Sequence, residues 1–100
     1  MPRPRLRRRI HGRPRSDYFK PAGIRMIYLK ENSLLPEEFE AIRLIDYQKT
    51  EQKKAAQQMK VSQPTLSRIL KSAREKISDA IINGKAIKIE KWKKDTLVSQ

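Results

Sequence analysis

Gln63, Pro64, Thr65, Ser67, Arg68 and Lys71 follow Ser62 as the outward residues of the first half of an expected helix. The chemistry available to that set is recognition of a polymer with hydrogen-bonding edges and an anionic backbone. Gln and Arg can form paired hydrogen bonds to adenine and guanine edges, and Ser and Thr reach either bases or phosphates. Lys neutralises phosphate. The run contains no acid before Glu75, whereas a merely solvated helix face usually mixes in Glu. Arg74 and Lys76 continue the basic side. Lys53 and Lys54 open the preceding segment, where they read equally well as phosphate contacts or as ordinary solvated lysines.

A second basic set lies at the start of the chain. Arg3, Arg5, Arg7, Arg8, Arg9, Arg13 and Arg15 fall within residues 1–16, which hold no acid. Pro2, Pro4, Pro14 and Gly12 oppose helix and strand there, so residues 1–16 are expected to be a disordered arm. Such arms contact phosphate or enter the minor groove beside a reading helix. Gly12-Arg13-Pro14-Arg15 resembles the core of an AT-hook, although His11 stands where a hook has a basic residue. His11 is the only histidine and there is no cysteine, so no metal site and no cofactor is expected.

The elements that must position these residues can be read from periodicity. Ile24 to Leu29 alternates as a short strand ended by Asn32-Ser33, and Tyr18 to Gly23 reads as a loop docked on the core. Pro36 suits a first helical position. Glu37, Glu38 and Glu40 favour the positive end of a helix spanning about 36–48. Thr50 is the expected N-cap of a second helix to about residue 59. Ser62 is the expected N-cap of a third. Leu66, Ile69, Leu70, Ala73, Ile77, Ala80 and Ile81 recur at helical spacing until Asn83-Gly84, giving a helix about 30 Å long. Ala86, Ile87 and Ile89 give a second short strand, able to pair with the first or across a dimer. The tail from Lys91 is polar.

Residues 52–71 carry the requirements of a helix-turn-helix. Ala56 is small where the second helix must cross. Met59 and Val61 flank the turn, and Leu66, Ile69 and Leu70 reach back from the second helix. The turn needs a left-handed residue, usually Gly. Here it is Lys60, at a cost of roughly 1 kcal/mol.

Composition limits the alternatives. One hundred residues allow one modest core. The net charge is +13, with +7 in residues 1–16 and +3 in each of residues 17–84 and 85–100. An excess of this kind suits a protein that displaces counterions from a phosphate polymer. No apolar run approaches the ~20 residues of a membrane span, and no signal peptide is visible, so a cytoplasmic, nucleoid-associated location is expected. With one arm histidine, no cysteine and no Gly-rich phosphate loop, enzymatic activity is not expected.

The chain also resembles a family of small bacterial and archaeal proteins described as predicted DNA-binding proteins. The likeness runs over about residues 1–90. It is carried by Met1-Pro2-Arg3-Pro4, Tyr18-Phe19-Lys20-Pro21-Ala22-Gly23, Glu37 to Leu44, Ser67 to Arg74 and Asn83 to Ile89. The motif half is similar to region 4 of sigma factors, with Ala73-Arg74-Glu75-Lys76 in the matching segment. The resemblance implies a helix-turn-helix regulator. The chain departs from the family pattern at His11, where Cys is frequent, at Lys60, where Gly is usual, and at Lys53-Lys54, where a Glu pair is usual.

The expected fold is therefore mainly α. It is a three-helix, helix-turn-helix domain of the sigma-region-4 type with a long third helix, two short flanking β-strands and the disordered basic arm. Residues 17–90 would form the domain, with the motif at about 51–71, and residues 91–100 a polar tail. The expected function is sequence-specific binding of double-stranded DNA as a homodimeric transcriptional regulator. A nonspecific nucleoid protein and an RNA- or ribosome-associated protein are the alternatives, and a module contacting RNA polymerase through Glu37, Glu38 and Glu40 is a further one, although helix-dipole compensation already accounts for those acids.

Overall fold

The computed structural model describes residues 10–91. The expected tail beyond Lys91 and the first nine residues lie outside this range. Three strands and three helices follow in the order β1 (Tyr18–Phe19), β2 (Glu31–Leu34), α1 (from Pro36), α2 (Gln52–Met59), α3 (Gln63–Asn83) and β3 (Ala86–Ile89). The fold is thus mixed α/β rather than mainly α.

The sheet corrects the expectation at several points. Its order is β1-β3-β2, with β1 antiparallel and β2 parallel to the central β3. The segment Ile24 to Leu29 is not a strand. It contains a single 3₁₀ turn at Met26–Tyr28, because neither edge of β3 is left for it: Tyr18–Phe19 takes one and Glu31–Leu34 the other. The Tyr18-Phe19 pair is therefore a strand rather than part of a docked loop. Asn32 and Ser33 lie within a strand instead of ending one. Asn32 suits that place because its amide donates to the Lys76 carbonyl and to Asp79 at 2.9 and 3.0 Å.

The helices follow the apolar periodicity closely. α1 opens with Pro36 and is α-helical to Ala41, then widens to a π-helix over Ile42–Tyr47. α2 is N-capped by Glu51 without a side-chain bond, so Thr50 is not its cap. Instead the Thr50 N–H donates to the Leu44 carbonyl at 2.8 Å and closes the turn after the π segment. α3 begins at the Ser62 cap, whose Oγ accepts the Thr65 N–H, and ends at left-handed Gly84 (φ 67°). Its 21 residues make it the spine of the molecule. The first half packs Leu66 and Leu70 against Ala41 and Leu44 of α1 with its π extension, and Ala55, Ala56 and Met59 of α2. The second half packs Ala73 and Ile77 against Leu34 of β2 and Ile89 of β3.

Two carboxylates from the start of α1 are buried in this framework. Glu38 accepts the Leu35 N–H, the Ser72 hydroxyl and the Lys76 ammonium, at 2.8, 2.6 and 2.8 Å. It locks α1 to the middle of α3. Glu40 accepts both the Nε and an Nη of Arg43 at 2.8 Å, and the N–H groups of His11 and Gly12 at 3.0 and 3.1 Å. The backbone of His11 and Gly12, within the range expected as a disordered arm, is therefore held against α1.

Candidate nucleic-acid interface

The site is built where α2 meets α3. Lys60 closes α2 in the left-handed conformation (φ 58°, ψ 46°), which lets the chain reverse within the three residues Lys60, Val61 and Ser62. Ala56 is buried at the crossing, with Met59, Leu66 and Leu70 packed around it. Apolar positions at i, i+3 and i+4 turn this side of α3 inward. The remaining positions of its first half must therefore face outward, and Gln63, Pro64, Ser67, Arg68 and Lys71 are exposed.

Their freedom to bind differs. Ser62 and Thr65 serve the helix itself: the Ser62 Oγ donates to Thr65 Oγ1 at 2.9 Å and accepts the Thr65 N–H at 3.2 Å. Thr65 is half-buried. The Ser67 hydroxyl donates to Gln52 at 3.4 Å, a weak tie across to α2. Gln63 and Arg68 have no side-chain partner among the described residues. Lys71 is only 4.0 Å from the exposed Glu75, a pair of little consequence in water. Lys53 and Lys54 are exposed at the start of α2 and, with Lys60, have no ion-pair partner among the described residues.

Arg74 differs from the expectation. Its guanidinium grips Asp46 through two hydrogen bonds of 2.6 and 3.2 Å. This pairing holds the Asp46 carboxyl below its ordinary range. Arg74 is thus committed to an intramolecular pair on the flank of the face. An open groove of about 450 Å³ runs beside it, lined by Gln52, Ser67, Leu70, Lys71, Arg74, Glu75 and Ser78.

Around the arm's root, Arg13 and Arg15 are exposed, while Arg3, Arg5, Arg7, Arg8 and Arg9 lie outside the described residues. Gly12 has a structural use that the AT-hook resemblance did not suggest. A side chain there would collide with the Arg43 guanidinium. Burial pushes the Glu40 carboxyl up, but Arg43 and the two backbone N–H groups outweigh it and hold the group below its ordinary value. Glu40 thus stays ionised in the fold. The acidic cluster expected to contact RNA polymerase is not an acidic surface, since Glu38 and Glu40 point inward.

Among the described residues no three His, Asp or Glu side chains gather as a metal site. No described helix is long and apolar enough to cross a membrane.

The comparisons with known proteins agree with one another. A UPF0251 protein of Dehalococcoides mccartyi is 53% identical over 90 residues, covering 90% of this chain and 77% of its own. A UPF0251 protein of Caldanaerobacter subterraneus is 52% identical over the same length, with 76% of its own chain covered. One from Aeromonas salmonicida is 45% identical over 96 residues, covering 96% and 94% of the two chains. No solved structure matches. The family described as "Protein of unknown function DUF134" matches residues 1–95, and the chain belongs to that family.

Proposed function

We propose that this protein binds double-stranded DNA sequence-specifically as a homodimeric transcriptional regulator, with α2 and α3 acting as a helix-turn-helix. The observation that carries the reading is the outward face of α3's first half. Gln63 and Arg68 stand there exposed and without side-chain partners, on a helix fixed by four buried residues beneath it. A rigid helix bearing free bidentate donors fits a B-DNA major groove. Lys53, Lys54, Lys60 and Lys71 surround that face and suit the flanking phosphates. Arg74 would join them only by leaving Asp46. The five arginines of residues 3–9, which precede the Glu40-bound His11 and Gly12 in the sequence, would supply further phosphate or minor-groove contacts. A cytoplasmic, nucleoid-associated location follows from this role.

The test compares two substitutions on a selected site and on random DNA. Arg68→Ala should cost about 1–3 kcal/mol on the selected site and little on random sequence. Lys53→Ala should weaken both about equally and reduce the salt slope by about 1. Equal losses for Arg68→Ala on both DNAs would remove Arg68 from base readout.

A further inference from the structure

Glu40 is fully buried and takes four donors. Two come from the Arg43 guanidinium, and two are the N–H groups of His11 and Gly12, 29 and 28 residues away in the chain. Further on, the chain is fixed a second time. The Asp17 carbonyl, just before β1, accepts the Ile89 N–H at 2.9 Å. A short strap lies between these two anchors. Arg13 and Arg15 are exposed along it, while Gly12 and Pro14 are half-buried. Neither arginine has an ion-pair partner among the described residues, and Asp17 pairs with Lys91 at 3.7 Å. The strap therefore holds two guanidinium groups available to an anion.

The two anchors pack on different parts of the molecule. Ala41 and Leu44, the chain neighbours of Glu40 and Arg43, share a core with Leu66 and Leu70, beneath the outward face proposed to read DNA. Asp46, three residues after Arg43, holds Arg74 on the flank of that face. β1 instead belongs to the sheet, whose central strand packs through Ile89 on Ala73 and Ile77. That contact lies seven residues further along α3, or about 10 Å. Anchoring at Glu40 thus shifts the start of the N-terminal arginines from the sheet to the element under the reading half of α3.

The anchor also shortens their tether. Arg3 precedes His11 by eight residues and Tyr18 by fifteen. At about 3.5 Å per residue, its reach is at most about 28 Å from the clamp, against about 53 Å from β1. The local concentration at the end of a flexible tether falls about as the −3/2 power of length. Arg7 is four residues from His11 and eleven from Tyr18, so the clamp raises its local concentration about 4- to 5-fold. A buried ion pair adds little net stability over apolar packing, so the burial of Glu40 calls for a use beyond the core.

We infer that Glu40, with Arg43, is a positioning residue for DNA binding. It touches no DNA itself, and it anchors the basic N-terminal segment at the reading half of the domain. The inference rests on the DNA-binding reading.

The experiment is a double-mutant cycle on the full chain, read as affinity for random duplex DNA at about 50 mM salt, where arginine–phosphate contacts weigh most. Arg3, Arg5, Arg7, Arg8 and Arg9 are replaced together by Gln. Glu40→Gln or His11→Pro is then introduced with and without that replacement. His11→Pro is the milder variant, because proline lacks the N–H that Glu40 accepts and the His11 side chain is exposed. The charge change in Glu40→Gln acts in both backgrounds and cancels in the ratio. Each variant should cost about 3- to 5-fold more affinity with the native arginines than with the glutamines. A merely structural role would give equal effects in both backgrounds, and that result would overturn the inference. So would an affinity unaffected by neutralising the five arginines. In both cases the wild type still binds DNA and the functional reading stands. A wild type that binds no duplex DNA would overturn that reading and this inference with it.

Discussion

Glu40 shows how much a single side chain settles in a chain this small. It is buried and ionised, and it holds Arg43 together with the N–H groups of His11 and Gly12. The glycine is required because a Cβ at this position would collide with the Arg43 side chain. Gly12→Ala should push that guanidinium off Glu40 and destabilise the fold by about 1–3 kcal/mol, as overpacking at a close contact does. Chemical denaturation would report it, and an unchanged midpoint would mean the clamp is dispensable. Asp79 is the second such residue. Lys85, Asn32 and Asn83 all donate to it and hold its carboxyl at about 2. Its unfolded value is near 3.9. The lowered value means that its stabilising contribution is complete above that unfolded value and is lost as pH falls through about 2. Glu40 and Asp46 are lowered as well and act in the same direction. The melting temperature should therefore fall between about pH 5 and pH 2, and Asp79→Asn should make that fall shallower. A slope unchanged by the substitution would contradict the role given to Asp79.

At the scale of elements, α3 was legible in its full length. Its apolar residues recur with the helical period, and both caps are written locally as Ser62 and Gly84. The strands were not. β1 is two residues long, and β2 contains Asn32 and Ser33, so β3 rather than intrinsic preference decides that both pair. Ile24 to Leu29 alternates like a strand but has no free edge to join. The widening of α1 over Ile42–Tyr47 leaves no mark in the sequence. It carries Asp46 to Arg74, and that pair is 28 residues apart, beyond any local spacing rule. The sequence therefore suggested Arg74 as a phosphate ligand, whereas the fold engages it with Asp46. For the same reason Glu38 and Glu40 read as helix-start acids, although their partners lie on α3 and in residues 11–12. Gln63, Arg68 and Lys71 were legible because outward positions of an amphipathic helix follow from its inward ones. The Asp46–Arg74 pair has a consequence for the proposed interface. Asp46→Asn would release Arg74 and remove a negative charge from the flank of the face. Affinity for random DNA should rise about 3- to 10-fold at low salt, with the salt slope steeper by up to about 0.9. Weaker binding would instead mean that the pair is needed to shape the face.

At the scale of the whole molecule, α3 links two ends of opposite character. Its first half presents the exposed Gln63, Arg68 and Lys71, and its last turn presents the exposed Ile81 and Ile82. On the proposed reading, the polar and basic first half of α3 would engage one half of a two-fold duplex site. The charge alone would suit any phosphate polymer. The distinction between a regulator and a general DNA-coating protein therefore depends on whether sequence is read. The most direct measurement is the recovery of bound fragments from sheared genomic DNA at about 200 mM salt, where purely electrostatic binding is much reduced. The account predicts a few loci that share an inverted-repeat motif, with that enrichment lost in Arg68→Ala. Recovery of broad A·T-rich DNA with no shared motif, or enrichment that survives Arg68→Ala unchanged, would contradict it.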